Sequence, residues 1–196
     1  MIHPTALVET QHIGESTHVW AFAHIMHGAQ IGNHGNIGDH AFVEGGAVIG
    51  DRVTLKNRVC VWDGVTIEDD VFIGPGVMFT NDKNPRSPRS QKARGRYASR
   101  SRWLSPTLVR RGCSIGAAAT IVPGIELGVY CMVGAGSVVT KSVPAYALVC
   151  GSPARQVADV CGCGQKLSGP FDQTTCEHCG ETAEDRLAFL PSILSS

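Results

Sequence analysis

The chain has 196 residues, with 17 basic and 17 acidic side chains, and is 43% hydrophobic but only 6% aromatic. Balanced charge excludes a general attraction to nucleic acid or to an anionic membrane, and the scarcity of rings argues against a globule packed around large aromatics. The length suits one main domain with a small appendage; no stretch approaches membrane-spanning length or follows a basic start as a leader would, so a soluble cytoplasmic protein is expected.

At the N-terminus Ile2 and Val8 are six apart, but the step from Val8 to Ile13 is one residue short. Such a slip suits a terminal cap. From residue 13 to residue 79 a large aliphatic residue, or a Phe at the last place, returns at every sixth position: Ile13, Val19, Ile25, Ile31 and so on to Ile73 and Phe79. Two places earlier stand small or β-branched residues such as Ala23, Ala41, Val53 and Val71. Two inward residues thus flank one outward residue, as a pleated strand requires, and the other three positions of each hexad must turn a corner. Gly14, Gly32, Gly38, Gly50 and Gly74 directly follow the large residue, where freedom from a Cβ is expected to ease the turn. A fixed hexapeptide period indicates a parallel β-helix with three hexads per triangular coil. His12, His18 and His24 fall at outward positions, and Gln30, Asn36 and Phe42 follow them one coil later. The histidines therefore do not stack within one chain, and a histidine metal site would need a neighbouring subunit.

The [Ile/Val]-Gly-x-x-[Ala/Val]-x form of the hexad resembles the hexapeptide-repeat acyltransferases. That resemblance, over residues 2–155, implies an all-β, left-handed parallel β-helix despite the general right-handed rule for parallel crossovers. It also implies a homotrimer with acyl-coenzyme A in clefts between neighbouring prisms. Residues 55–87, LKNRVCVWDGVTIEDDVFIGPGVMFTNDKNPRS, resemble more specifically the branch of N-acetyltransferases that act on nucleotide-linked amino sugars. The carrying motifs are the run at residues 57–65, Glu-Asp-Asp-Val-Phe at 68–72, and Phe-Thr-Asn-Asp followed by Pro-Arg-Ser at 79–87. The implied reaction moves acetyl from acetyl-CoA to the amino group of a UDP-linked sugar, a 3-amino uronate by this likeness, in surface-polysaccharide synthesis.

The resemblance makes Asn81 the residue beside the amine and the thioester, and Asn57, Trp62, Asp63 and Arg86 substrate contacts. An amide orients an amine through its oxygen or an oxyanion through its nitrogen, but cannot act as a base. Asp82 and Asp63 are candidate proton acceptors; in the family the leaving thiolate is a proposed alternative. The family usually has Glu in place of Asp63 and Asn in place of Ala118.

Between residues 81 and 107 the repeat is interrupted by a Pro-, Ser- and Arg-rich insertion. Ten of the 17 Lys and Arg residues lie between positions 83 and 111. Most are read as a solvated face, Arg86 as a contact for an anionic ligand. Tyr97 and Trp103 among the arginines leave nucleic acid as a further reading, which the enzyme-like prism on either side argues against.

The repeat resumes at Val109 and completes a domain ending at residue 152. In the family its last coils line the coenzyme A cleft, through Gly116, Ala117, Ala135, Gly136, Lys141, Pro153 and Arg155. Residues 153–160 are expected to form a short helix or linker, with Ser152 as N-cap and Pro153 at the first position. Residues 161–190 read as a zinc ribbon, with Cys161, Cys163, Cys176 and Cys179 as four thiolates for a tetrahedral structural site and His178 as a substitute ligand. A non-catalytic β-helix scaffold with a recruiting ribbon is the rival from outside the enzymes.

Overall fold

A two-residue strand cannot satisfy its backbone alone, so each hexad must draw partners from the coils beside it. In the computed structural model, which describes residues 1–190, the N–H of His24 donates to Ala41 O at 2.8 Å, that of Phe42 to Val59 O at 2.9 Å, and that of Met78 to Ala119 O at 3.0 Å. Repetition of this bond builds three parallel sheets of seven, five and eight strands. The seven-stranded sheet starts at Leu7–Val8 and ends at Val138–Val139; the five-stranded one runs from Gln30–Ile31 to Glu126–Leu127. The third starts at His18–Val19 and ends with an antiparallel pair, Ala147–Gly151 and Ala154–Asp159.

Inside this prism the two inward residues of each hexad form one narrow aliphatic core. Ile25, Val43, Val61, Phe79, Ile121 and their equivalents on the other sheets are almost wholly buried, each worth roughly 1.5–3 kcal/mol of transfer free energy. The insertion leaves the register intact. Met78 pairs with Thr120, and Val65 with Thr107, so the coils after the loop continue those before it in phase. Among the described residues no helix is long and apolar enough to cross a membrane.

Two expectations are corrected. Gly14, Gly32, Gly38, Gly50 and Gly74 do not supply left-handed dihedrals. The positive φ lies two residues further on, at positions such as Ser16, His34, His40, Arg52 and Gly76. The glycines are there because the next coil passes too close for a side chain: a Cβ on Gly38 would lie 2.8 Å from Asn57 N, and one on Gly74 2.7 Å from Ala117 N. Residues 154–159, moreover, form a strand and not a helix. Their amides pair with the Ala147–Gly151 strand, which would otherwise present an open sheet edge at the end of the prism.

Gly74→Ala is therefore expected to cost roughly 2–3 kcal/mol through overpacking. Gly76→Ala, at φ +69° with nothing within 4 Å of its added Cβ, should carry only the left-handed penalty of roughly 1 kcal/mol. Urea unfolding of the two variants checks this; a larger loss at Gly76 would restore the dihedral explanation.

Candidate active site on two edges of the prism

The residues singled out from the sequence fall on two corners of the prism, which run along opposite margins of the seven-stranded sheet. The first corner leaves the eight-stranded sheet and enters the seven-stranded one. It stacks Asn57, Gly116, Ala117, Ala135 and Gly136: Gly76 N donates to Asn57 O at 2.9 Å, Ala118 N to Pro75 O at 2.9 Å, and Gly136 N to Ala117 O at 2.8 Å. The hairpin turn with Pro153 begins at Gly151, whose N–H donates to Ser137 Oγ at 3.1 Å. A Cβ at Gly76 or at Gly136 would meet nothing within 4 Å. This corner is thus an open lane floored by backbone and small side chains. Ala118 lies on it at φ 56°, a conformation that Asn adopts more readily than Ala, and contributes no polar group. Arg155 is exposed on the second hairpin strand, opposite Cys150.

The second corner leaves the seven-stranded sheet for the five-stranded one, and carries Trp62, Asp63, Asn81, Asp82, the insertion and, two coils beyond Asn81, Lys141. Asn57 and Lys141 are therefore each placed apart from the residues they were grouped with. Trp62 packs against the ring of Phe42 at 5.3 Å between centroids, partly buried against the core. The N–H of Asp63 donates to Glu44 Oε2 at 2.9 Å, and its carboxylate receives Arg100 Nε at 2.8 Å and Nη2 at 2.5 Å. Asn81 is held at both ends. Its side-chain Nδ2 donates to Asp63 O at 3.2 Å, and its backbone carbonyl accepts from Ser105 N at 2.9 Å. With the nitrogen engaged, the amide oxygen remains as an acceptor for a ligand N–H.

Asp82 is saturated. Its carboxylate accepts from Arg96 through both terminal guanidinium nitrogens, Nη1 and Nη2, from Tyr97 Oη at 2.7 Å and from Asn84 N at 2.9 Å. These donors, Arg96 foremost, lower its carboxyl from the usual 3.8 to about 2. Arg86 is exposed, its N–H on Tyr97 Oη at 2.9 Å. It lines a cavity of about 440 Å³ with Lys83, Lys92 and Arg96. Glu44, Arg96 and Arg100 were not picked out by the sequence, since nothing marks these two arginines within a run of arginines, and Tyr97 was read there only as an aromatic for nucleic acid, not as a partner of Asp82.

In the tail the four cysteines converge, with all four sulfurs within 4.8 Å of one another. Cys161 and Cys179 are 3.5 Å apart, and Cys163 and Cys176 3.8 Å. Four sulfurs at about 2.3 Å from a tetrahedral zinc ion lie about 3.8 Å apart, so the set fits that ion. Cys161 reaches the cluster, and His178 is not in it.

The family described as bacterial transferase hexapeptide (six repeats) matches residues 12–45 and 46–81, and the hexapeptide repeat of succinyl-transferase matches residues 109–141. Over 75 residues, 38% of each chain, the sequence is 51% identical to a dTDP-3-amino-3,6-dideoxy-alpha-D-galactopyranose 3-N-acetyltransferase of Aneurinibacillus thermoaerophilus. The chain spans well under half the length of the curated relatives it matches: 38% of that one and 32% of a serine acetyltransferase of Buchnera aphidicola. Among solved structures, a hexapeptide-repeat acetyltransferase of Vibrio cholerae complexed with acetyl coenzyme A is 27% identical, with a TM-score of 0.51 over 64% of this chain and 70% of that one. An N-acyltransferase of Bacillus cereus in complex with dTDP and coenzyme A shares the fold, at 16% identity and a TM-score of 0.54 over 82% of this chain and 80% of that one. The unbroken hexad, the stacked triangular coils and the family matches on both sides of the insertion establish that the chain belongs to the hexapeptide-repeat acyltransferases, with their left-handed β-helix.

Proposed function

We propose that the protein transfers acetyl from acetyl-CoA to the 3-amino group of a nucleotide-linked sugar. The observation that carries this reading is the fixed amide of Asn81, tied through Nδ2 to Asp63 O, at the head of an arginine-lined loop. The likeness to a dTDP-3-amino sugar 3-N-acetyltransferase supports the acceptor class. UDP and a uronate carboxylate are the finer form of the proposal, supported by the motif at residues 57–87. Lys83, Arg86 and Lys92 around the loop cavity would bind the anionic parts of such a sugar.

The chemistry needs positioning more than acid–base power. The neutral amine nitrogen attacks the thioester carbonyl carbon, the C–N bond forms, the C–S bond breaks, and the coenzyme A thiolate takes the proton shed by the nitrogen. Asn81 Oδ1 accepts an amine N–H and aims the lone pair. Asp82 is not the base in this account, because four donors already occupy its carboxylate; with Arg96 and Tyr97 it anchors the loop. Asp63, clasped by Arg100, ties the far end of the loop to the same corner. Acetyl-CoA lies along the first corner, with the pantetheine arm over Gly116, Ala117, Ala135 and Gly136, and Pro153 and Arg155 beyond. The two corners flank a whole sheet, so a complete site takes one corner from each of two neighbouring prisms in a homotrimer. Structural zinc in the tail completes the proposal.

Asn81→Ala should lower turnover on a nucleotide-linked 3-amino sugar about 10²–10³-fold while leaving the trimer intact on light scattering; unchanged turnover removes Asn81 from the mechanism. For the loop, the sign follows from a lowered carboxyl. Asp82 contributes fully above 3.8, and its contribution is lost as pH falls from 3.8 through about 2. At pH 7 Asp82→Asn should therefore expose the loop arginines to trypsin, and a cleavage rate equal to wild type would contradict the anchor.

A further inference from the structure

The C-terminal module sits on the open end of the prism and has almost no core of its own. Its buried hydrophobic cluster is Cys161, Leu167 and Cys176, with Phe171 packed alongside, so two of the three members of that cluster belong to the cysteine set that fits a metal ion. A module this small needs a staple to hold its shape. A second feature lies against the same cluster. Arg186 is fully buried, and its guanidinium donates to Phe171 O at 2.8 Å and Glu181 O at 3.1 Å and lies 3.9 Å from Cys161 Sγ. Its carboxylate partner, Glu181, is 3.4 Å away and accepts from the protonated Cys161 thiol, whose proton zinc binding would displace. A buried guanidinium is stable only beside compensating negative charge. Zinc on four thiolates carries a double negative charge, which Arg186 faces from inside the module.

The module is bonded directly to the hairpin that bears Pro153 and Arg155. Val160 N donates to Tyr146 O at 2.8 Å, Leu167 N to Asp159 O at 2.9 Å, and Phe171 N to Asp159 Oδ2 at 3.0 Å. Tyr146 stacks on Phe171 at 5.1 Å, and its hydroxyl donates to Arg186 O at 3.3 Å. The Ala154–Asp159 strand is otherwise the outermost strand of its sheet, with one neighbour. Cys161 lies two residues beyond it.

We infer that zinc on Cys161, Cys163, Cys176 and Cys179 clamps the hairpin Ala147–Gly151/Ala154–Asp159 against the last coil, so that metal occupancy sets the affinity for acetyl-CoA. The second half of this inference rests on the acetyl-CoA reading above; the clamp itself does not.

The test uses the full chain. Metal analysis of the purified protein should find one zinc per chain, and cobalt exchanged into it should give the absorption of a tetrahedral thiolate site. Hydrogen exchange followed by mass spectrometry, before and after stripping with a chelator, should show faster exchange in residues 147–160 and unchanged exchange in residues 13–79, with protection returning on zinc addition. Cys179→Ser, at an exposed ligand, should reproduce the stripped state. Calorimetric titration with acetyl-CoA should give an affinity about tenfold weaker without zinc. Absence of zinc together with no cobalt–thiolate absorption would overturn the site. Zinc-independent exchange in residues 147–160 would overturn the clamp. Zinc-dependent exchange in a loaded protein that does not bind acetyl-CoA would uphold the clamp and remove the acetyl-CoA reading. Equal acetyl-CoA affinity with and without zinc, on a clamp that does open, would overturn the coupling.

Discussion

Close vertical stacking of coils is the constraint on which everything else depends. Each short strand is stable only because the next coil accepts its N–H groups, as Ala41 O does for His24 and Val59 O for Phe42. Stacking fixes the inward residues at positions such as Ile37 and Leu55, which bury completely, and forbids a Cβ wherever a corner passes under its neighbour. The candidate site residues lie at the corners and not on the faces. Faces are ladders of aligned outward side chains; corners vary in residue, accept a long insertion without loss of register, and bring backbone groups of successive coils into reach of one another.

The candidate site follows from that arrangement. Asn81 and Asp63 occupy the same corner of successive coils, so the side chain of one reaches the carbonyl of the other. The insertion leaves from this corner and is tied back to it by two arginine–carboxylate pairs, Arg96 with Asp82 and Arg100 with Asp63. Such pairs matter here for geometry more than for global stability, because Arg100 is largely exposed and an exposed pair contributes little. The small-residue lane lies across the seven-stranded sheet. On the proposed reading, the acetyl donor and its acceptor therefore occupy two corners that a second prism would bring together.

The core was legible because the hexad has a strict period: Ile25, Val43 and Phe79 are buried where the pattern puts them. Legible too was the convergence of the four cysteines, since pairs with ligand spacing in so short a tail have few ways to fold. The glycine positions were read correctly but explained wrongly, because a one-dimensional pattern contains no information on how near the next coil approaches. The strand at residues 154–159 was hidden for a related reason: Ser152 and Pro153 carry a helix-start signature, while the decisive factor, an unpaired sheet edge alongside, lies elsewhere in the chain. Arg96 and Arg100 were equally invisible among other arginines. Their carboxylate partners stand 14 and 37 positions away, and only the fold selects them.

The most direct test of the account is release of free coenzyme A from acetyl-CoA, followed with a thiol reagent, in the presence of dTDP- and UDP-linked 3-amino sugars and of matched sugars lacking the amine. The account predicts release with a 3-amino sugar and none with its amine-free counterpart, with the preferred nucleotide and any requirement for a carboxylate defining the acceptor. A folded, zinc-loaded trimer that releases no coenzyme A with any nucleotide-linked amino sugar would contradict it.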